Sequence, residues 1–155
     1  MTEIDFALNQ KQDTEIIELV GTVLWNKASE VNSFEQLSEP EKTFVYIDIF
    51  EGELNNGGLF DFFYNTSGAF AHQVLDAYQA IGAEESATIV SQAIALFPEL
   101  PVSKDLFIRR QLMSNLKHTV LAEWEKLESQ FFNSEEAIVT LLIAYITSNK
   151  TYFEY

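Results

Sequence analysis

The chain has 155 residues, 47% of them hydrophobic, with 24 Asp and Glu against 9 Lys and Arg and a net charge of −15. That length and apolar content suit one globular domain and exclude a disordered acidic tail, while the charge excludes direct nucleic-acid binding, which needs a basic footprint. Cysteine is absent, so disulfides, thiolate metal sites and cysteine nucleophiles are excluded as well.

At the start of the chain, Met1 to Gln12 carries Glu3, Asp5 and Lys11 and no apolar run of the secretory kind. No later stretch approaches the roughly 20 apolar residues of a membrane helix. The expectation is a cytoplasmic protein without a membrane partner. Asn65 and Asn149 stand in glycosylation sequons, which that setting makes coincidental. Prolines number 3 and glycines 6, and apolar residues recur at helical spacing. The expected fold class is all-α: a single compact domain of about seven to nine helices.

The first strong helix is expected from Thr14 to Lys27, with Ile16, Ile17, Val20, Val23 and Leu24 as its apolar stripe and Trp25 on the polar side. Ser38-Glu39-Pro40-Glu41 then signals a helix start: a serine cap three residues before a glutamate, with proline in the first turn. Phe44, Tyr46, Ile47, Ile49, Phe50 and Leu54 surround most of this helix, which should be central, and Glu41 and Asp48 share one face. Asn55-Asn56-Gly57-Gly58 is expected to stop it near Leu54, because Asn and Gly tolerate the left-handed backbone of a helix end. Leu59 to Tyr64 follows as a short aromatic segment, and Asn65 to Gly68 as a second turn.

Helices are expected next at Ala69 to Ile81 and Ala83 to Phe97, separated by Gly82, with Ala83, Ala87, Val90, Ile94 and Phe97 as the second one's core stripe. The last third reads as helices at Lys104 to Met113, Asn115 to Phe131 and Glu135 to Ser148. Val120, Leu121, Trp124, Leu127 and Phe131 form the core face of the middle one, and Ser134 is the expected cap of the last. No repeat or domain linker interrupts residues 1–155.

Charge divides the chain unevenly. Met1 to Asp61 has 13 acids and 3 lysines, Phe62 to Ser103 has 4 acids and no base, and Lys104 to Tyr155 has 7 acids and 6 bases. The last third can therefore neutralise itself locally and the rest cannot, leaving a field that steers basic partners. Duplex DNA carries about one charge per 100 Å² of its envelope. Fifteen charges spread over the roughly 8,000 Å² of a monomer give about one per 500 Å². Imitating DNA would require the acids to converge on one face, or two subunits to join theirs.

Enzyme chemistry finds little footing. His72 and His118 belong to no metal-ligand spacing, and residues Glu51 to Phe62 miss the glycine and glutamate of a calcium loop. No nucleophile elbow or phosphate loop occurs, and Gly57-Gly58 has no Lys or Arg within ten residues. Glu53 and Asp61 flank the aromatic turn as a weak acid–base pair. No catalytic residue, metal or cofactor is expected. The densest unusual stretch, Glu53 to Gly68, reads as architecture: Asn55, Asn56, Gly57, Gly58, Asn65 and Gly68 shape turns, buried Asn side chains satisfy the helix end, and Phe60, Phe63 and Tyr64 form a hydrophobic plug.

The same stretch carries a resemblance. Glu-x-Asn-Asn-Gly-Gly at Glu53 to Gly58, Phe-Phe-x-Asn-x-x-Gly at Phe62 to Gly68 and, in looser form, the Ala77 to Ala83 junction resemble the bacterial DNA-mimic protein family. The resemblance covers about Phe44 to Phe97 well, with a family-like core at about residues 38–97. It implies an all-helical, non-enzymatic protein that occupies the DNA-binding face of a basic protein such as a transcription regulator. The acids expected to replace phosphates are Glu39, Glu41, Asp48, Glu51, Glu53, Asp61, Glu84 and Glu85, with Trp25 and the tail Tyr152-Phe153-Glu154-Tyr155 as contacts of a homodimer or of the core. Two alternatives stand beside this: an immunity-type module blocking a basic toxin, and a small ligand-binding protein or enzyme using the Asn-Gly-Gly and aromatic region.

Overall fold

A computed structural model describes residues 2–153. Its described residues form eight α-helices and short 3₁₀ turns, without strands. The helices are α1 (Glu3–Leu8), α2 (Asp13–Glu30), α3 (Glu39–Tyr64), α4 (Ala71–Ala80), α5 (Glu84–Ala95), α6 (Leu106–Met113), α7 (His118–Asn133) and α8 (Ile138–Ser148). The all-α expectation holds. Among the described residues no helix is long and apolar enough to cross a membrane.

The stretch before Gln12 forms α1, which sequence reading left unassigned. Thr2 and Asp5 make a reciprocal capping box at its start. From the far end of the chain Lys150 pairs with Asp5. That contact, then the bonds from Thr2, hold the Asp5 carboxyl down at about 2. In α2 the stripe Ile16, Val20 and Leu24 is buried, and Trp25 lies outside it, exposed.

Helix α3 starts where its serine predicts. Ser38 Oγ accepts from the Glu41 N–H at 3.3 Å, and the Glu41 carboxylate accepts from the Ser38 N–H at 2.9 Å. Phe44, Val45, Ile47, Phe50 and Leu54 are buried, and α2, α4, α6 and α7 pack around the helix. Phe50 meets Phe62, Tyr78 and Phe131 edge-on at 4.9, 5.8 and 5.7 Å, while Phe63 stacks on Trp124 at 4.8 Å. Each ring sits in the offset or edge geometry that aromatic quadrupoles favour.

Helix α5 packs on α4 and α7, and α8 covers α2. Ala83, Ala87, Val90, Ile94 and Phe97 are all buried, as their spacing predicts. The Ser134 cap is corrected: α8 begins only at Ile138, after Ala137, without a side-chain cap. Glu136 turns instead to α5, whose own Ala83 offers no cap. Its carboxylate accepts from the N–H groups of Glu85 (3.0 Å) and Ser86 (2.9 Å) and from Ser86 Oγ (2.7 Å). Burial pushes its pKa up, but these hydrogen bonds outweigh burial and leave it below the usual value.

Candidate protein-interaction surface

The Asn-Asn-Gly-Gly sequence does not end α3 near Leu54. It bends it. Only Gly58 leaves helical geometry, at φ 79° and ψ −166°, and the backbone resumes as a helix through Tyr64. A kink exposes a fresh helix N-terminus with an orphan donor, and Glu128 of α7 accepts from the Leu59 N–H at 2.5 Å. A Cβ on Gly58 would run into that carboxylate, and one on Gly57 into Asp61. Asp61 thus lies in the first turn of the second segment, where a negative charge suits the dipole.

The other end of the junction is held by cations. Arg109, fully buried, donates to the carbonyls of Phe63 (2.6 Å), Ser103 (2.9 Å) and Asn65 (2.6 Å). Arg110 donates to the Tyr64 carbonyl at 2.9 Å and lies over the Tyr64 ring. Burial and then the neighbouring Arg110 pull the Arg109 guanidinium below its usual range. Gly68 has no Cβ because one would strike the Phe63 carbonyl and Arg109. Asn55 and Asn56 are exposed and do not fill the role of buried caps; the arginines do. Asn65 Nδ2 donates to Glu53 at 3.2 Å and ties the two halves of the motif together. The plug also changes membership. Phe62 and Phe63 are buried, whereas Phe60 and Tyr64, four apart on the outer face, stack on each other in the open.

The eight acids do not form one surface. Glu41 is only 1% exposed, bonded to Lys27 at 3.1 Å and to the Ser38 N–H, so it is a core ion pair and not a partner contact. It shares a face with Asp48 as expected, but that face looks toward α2: Asp48 accepts from the Trp25 indole N–H at 2.8 Å. Asp48 is exposed, and Glu51 and Glu53 are half-buried beside it on the same helix. Burial, then the Asp48 charge, raises the Glu51 carboxyl to about 7. Glu39 is exposed and pairs with Lys42. Glu84 and Glu85, both exposed, stand apart at the start of α5. Asp48 and Glu53 meet at a cleft of about 430 Å³, walled by Trp25, Phe34 and Phe70 with Gly52 and Asn56 between. Ring contacts link Phe34 to Trp25 (6.2 Å) and to Phe70 (5.1 Å).

A family model for DMP19-like protein matches residues 35–149. The chain belongs to the DMP19-like family. This corrects the expected assignment to the bacterial DNA-mimic family, and the match runs well beyond the anticipated core of residues 38–97. It takes in the kink, both arginines and Glu128, but not α1 or α2. No curated protein and no solved structure matches the chain.

In this DMP19-like chain the bases are turned to structural uses. Lys27, Lys42 and Lys150 sit in ion pairs and Arg109 and Arg110 on backbone carbonyls. The last third therefore does not neutralise itself as its composition suggests, since its two arginines serve the end of α3. Sequence reading missed Arg109, Glu128 and Glu136, whose partners lie 46, 69 and about 50 residues away. Among the described residues no cluster of His, Asp and Glu could hold a metal ion. His72 accepts from the Val102 N–H at 3.0 Å, and His118 is exposed at the start of α7. Glu53 is bonded to Asn65 and Asp61 lies against Gly57, so each flanking acid has a local structural role. Phe153 of the tail is buried and Tyr152 exposed; Glu154 and Tyr155 lie outside the described residues.

Proposed function

We propose that this DMP19-like protein is a non-enzymatic acidic interaction protein that occupies the DNA-binding surface of a basic protein, such as a transcription regulator, by charge mimicry. The observation that carries the reading is uncompensated charge. Met1 to Ser103 holds 17 acids and 3 lysines, and two of those lysines are tied to Glu41 and Glu39. With 8538 Å² of surface, the net −15 averages about one charge per 570 Å², well below the density of DNA. Mimicry therefore rests on the local concentration at Asp48, Glu51 and Glu53, with Glu39, Glu84 and Glu85 extending it, or on two copies joining their faces.

The test is capture from a lysate of the native host on immobilised protein, elution with a salt gradient and identification by mass spectrometry. A second bait carries Glu39→Gln, Asp48→Asn, Glu51→Gln and Glu53→Gln, and leaves the buried Glu41 intact. A DNA-binding protein that elutes with salt, is displaced by duplex DNA and is lost from the second bait supports the reading. A basic toxin in its place favours an immunity-type module, and retention of no basic protein by either bait rejects both.

A further inference from the structure

We infer that the cleft between Trp25 and Phe70 receives an arginine side chain of the basic partner. This rests on the proposed function and names the chemistry that one part of the acidic surface would recognise. Three aromatic rings, Trp25, Phe34 and Phe70, wall the cleft, and two carboxylates, Asp48 and Glu53, lie on its rim. No Lys or Arg lines it. The Trp25 indole N–H is bound to Asp48 Oδ2, which fixes the ring, and Asn65 similarly holds Glu53 Oε2. The second oxygen of each carboxylate accepts no hydrogen bond among the described residues. Aromatic faces beside open carboxylate oxygens suit a group that is cationic, planar and rich in N–H donors. Guanidinium has all three properties, and ammonium lacks the planar face.

Gly52 gives the cleft its room. It lies on α3 between the two carboxylates, lines the cleft, and a Cβ built there meets nothing within 4 Å. Any larger side chain at this helical position would project into space that an arginine would use. Replacing this glycine leaves the fold its contacts and takes away the cavity.

The protein carries two tryptophans, which makes a direct reading possible. Trp124 is buried and its indole N–H donates to the Ala93 carbonyl at 3.1 Å, so it serves as an internal reference. N-acetyl-arginine amide is titrated into the ¹⁵N-labelled full chain, with N-acetyl-citrulline amide as the uncharged analogue. The expected result is a saturable shift of the Trp25 indole resonance in the millimolar range, no shift of Trp124, and no response to citrulline. Gly52→Leu should weaken the arginine response at least tenfold without lowering Tm, and Asp48→Asn should weaken it severalfold. An unmoved Trp25 signal, an equal response to citrulline, or an undiminished response in Gly52→Leu overturns the inference. A captured basic protein that binds Gly52→Leu as tightly as the wild type removes the cleft's role and leaves the proposed function standing. An arginine response without any basic partner removes the proposed function, and with it the identity of the arginine's source.

Discussion

Gly52 and Gly68 lie close to the same junction and obey opposite constraints. At Gly52 an added methyl group meets open space, so Gly52→Ala gains helix propensity alone. It should raise stability by about 0.5–1 kcal/mol. At Gly68 the methyl group meets a backbone carbonyl and the Arg109 guanidinium, neither of which can yield cheaply. Gly68→Ala should cost more than about 2 kcal/mol, because relief requires breaking buried hydrogen bonds. Urea unfolding midpoints of the two variants check the pair. Glu51 makes a pH-dependent case. Its carboxyl is raised to about 7 in the folded protein, first by burial and then by Asp48. The folded state therefore holds a proton that the unfolded state releases near pH 4.5. The contribution is fully present below that pH and is lost as pH rises through 7. Glu51→Gln should flatten this decline, and at pH 8 it should be more stable than wild type by up to about 3 kcal/mol. A thermal-unfolding series from pH 4 to pH 8 measures it.

Among the elements, α3 shows what local sequence can and cannot announce. Its start was legible, because Ser38, Pro40 and Glu41 are a self-contained capping signal. Its end was not. Asn-Asn-Gly-Gly announces a backbone that can leave the helix, and Gly58 does leave it, but whether the chain stops or merely bends depends on who caps the next turn. Here Glu128 does, from 69 residues away. Stripes decided the other helices well: Ile16, Val20 and Leu24 in α2 and Ala83 to Phe97 around α5 are buried as their periodicity required. The Ser134 cap failed because α5 has no capping side chain of its own, and Glu136 satisfies its first N–H groups instead. Two variants test these long-range caps. Glu136→Ala should cost about 1–2 kcal/mol by leaving the α5 donors unfilled. Arg109→Met, which keeps the apolar length and removes three bonds to carbonyls, should cost at least about 3 kcal/mol. Chemical denaturation reads both, and hydrogen exchange should place the Arg109→Met loss in residues 59–70.

Over the whole molecule, the motif that suggested a functional site proves to be joinery. Glu53, Asn65, Gly57, Gly58 and Gly68 hold the bend and its two caps. Composition did show that the chain is acidic and helical. It could not show that Glu41 is internal or that Arg109 and Arg110 serve backbone carbonyls, because both facts arise from pairings between distant helices. The consequence for function is that fewer cations offset the surface than the sequence count implies. Long-range attraction of a basic partner should follow, screened by salt over a Debye length of about 8 Å at physiological ionic strength. The measurement that tests this most directly is competition. Fluorescent duplex DNA is bound by the captured basic partner, and this protein is added at several salt concentrations while anisotropy is followed. The account predicts that the protein displaces DNA stoichiometrically, that displacement weakens with salt, and that the variant neutralised at Glu39, Asp48, Glu51 and Glu53 displaces at least tenfold less well. A ternary complex in which DNA stays bound, or full displacement by the neutralised variant, would contradict it.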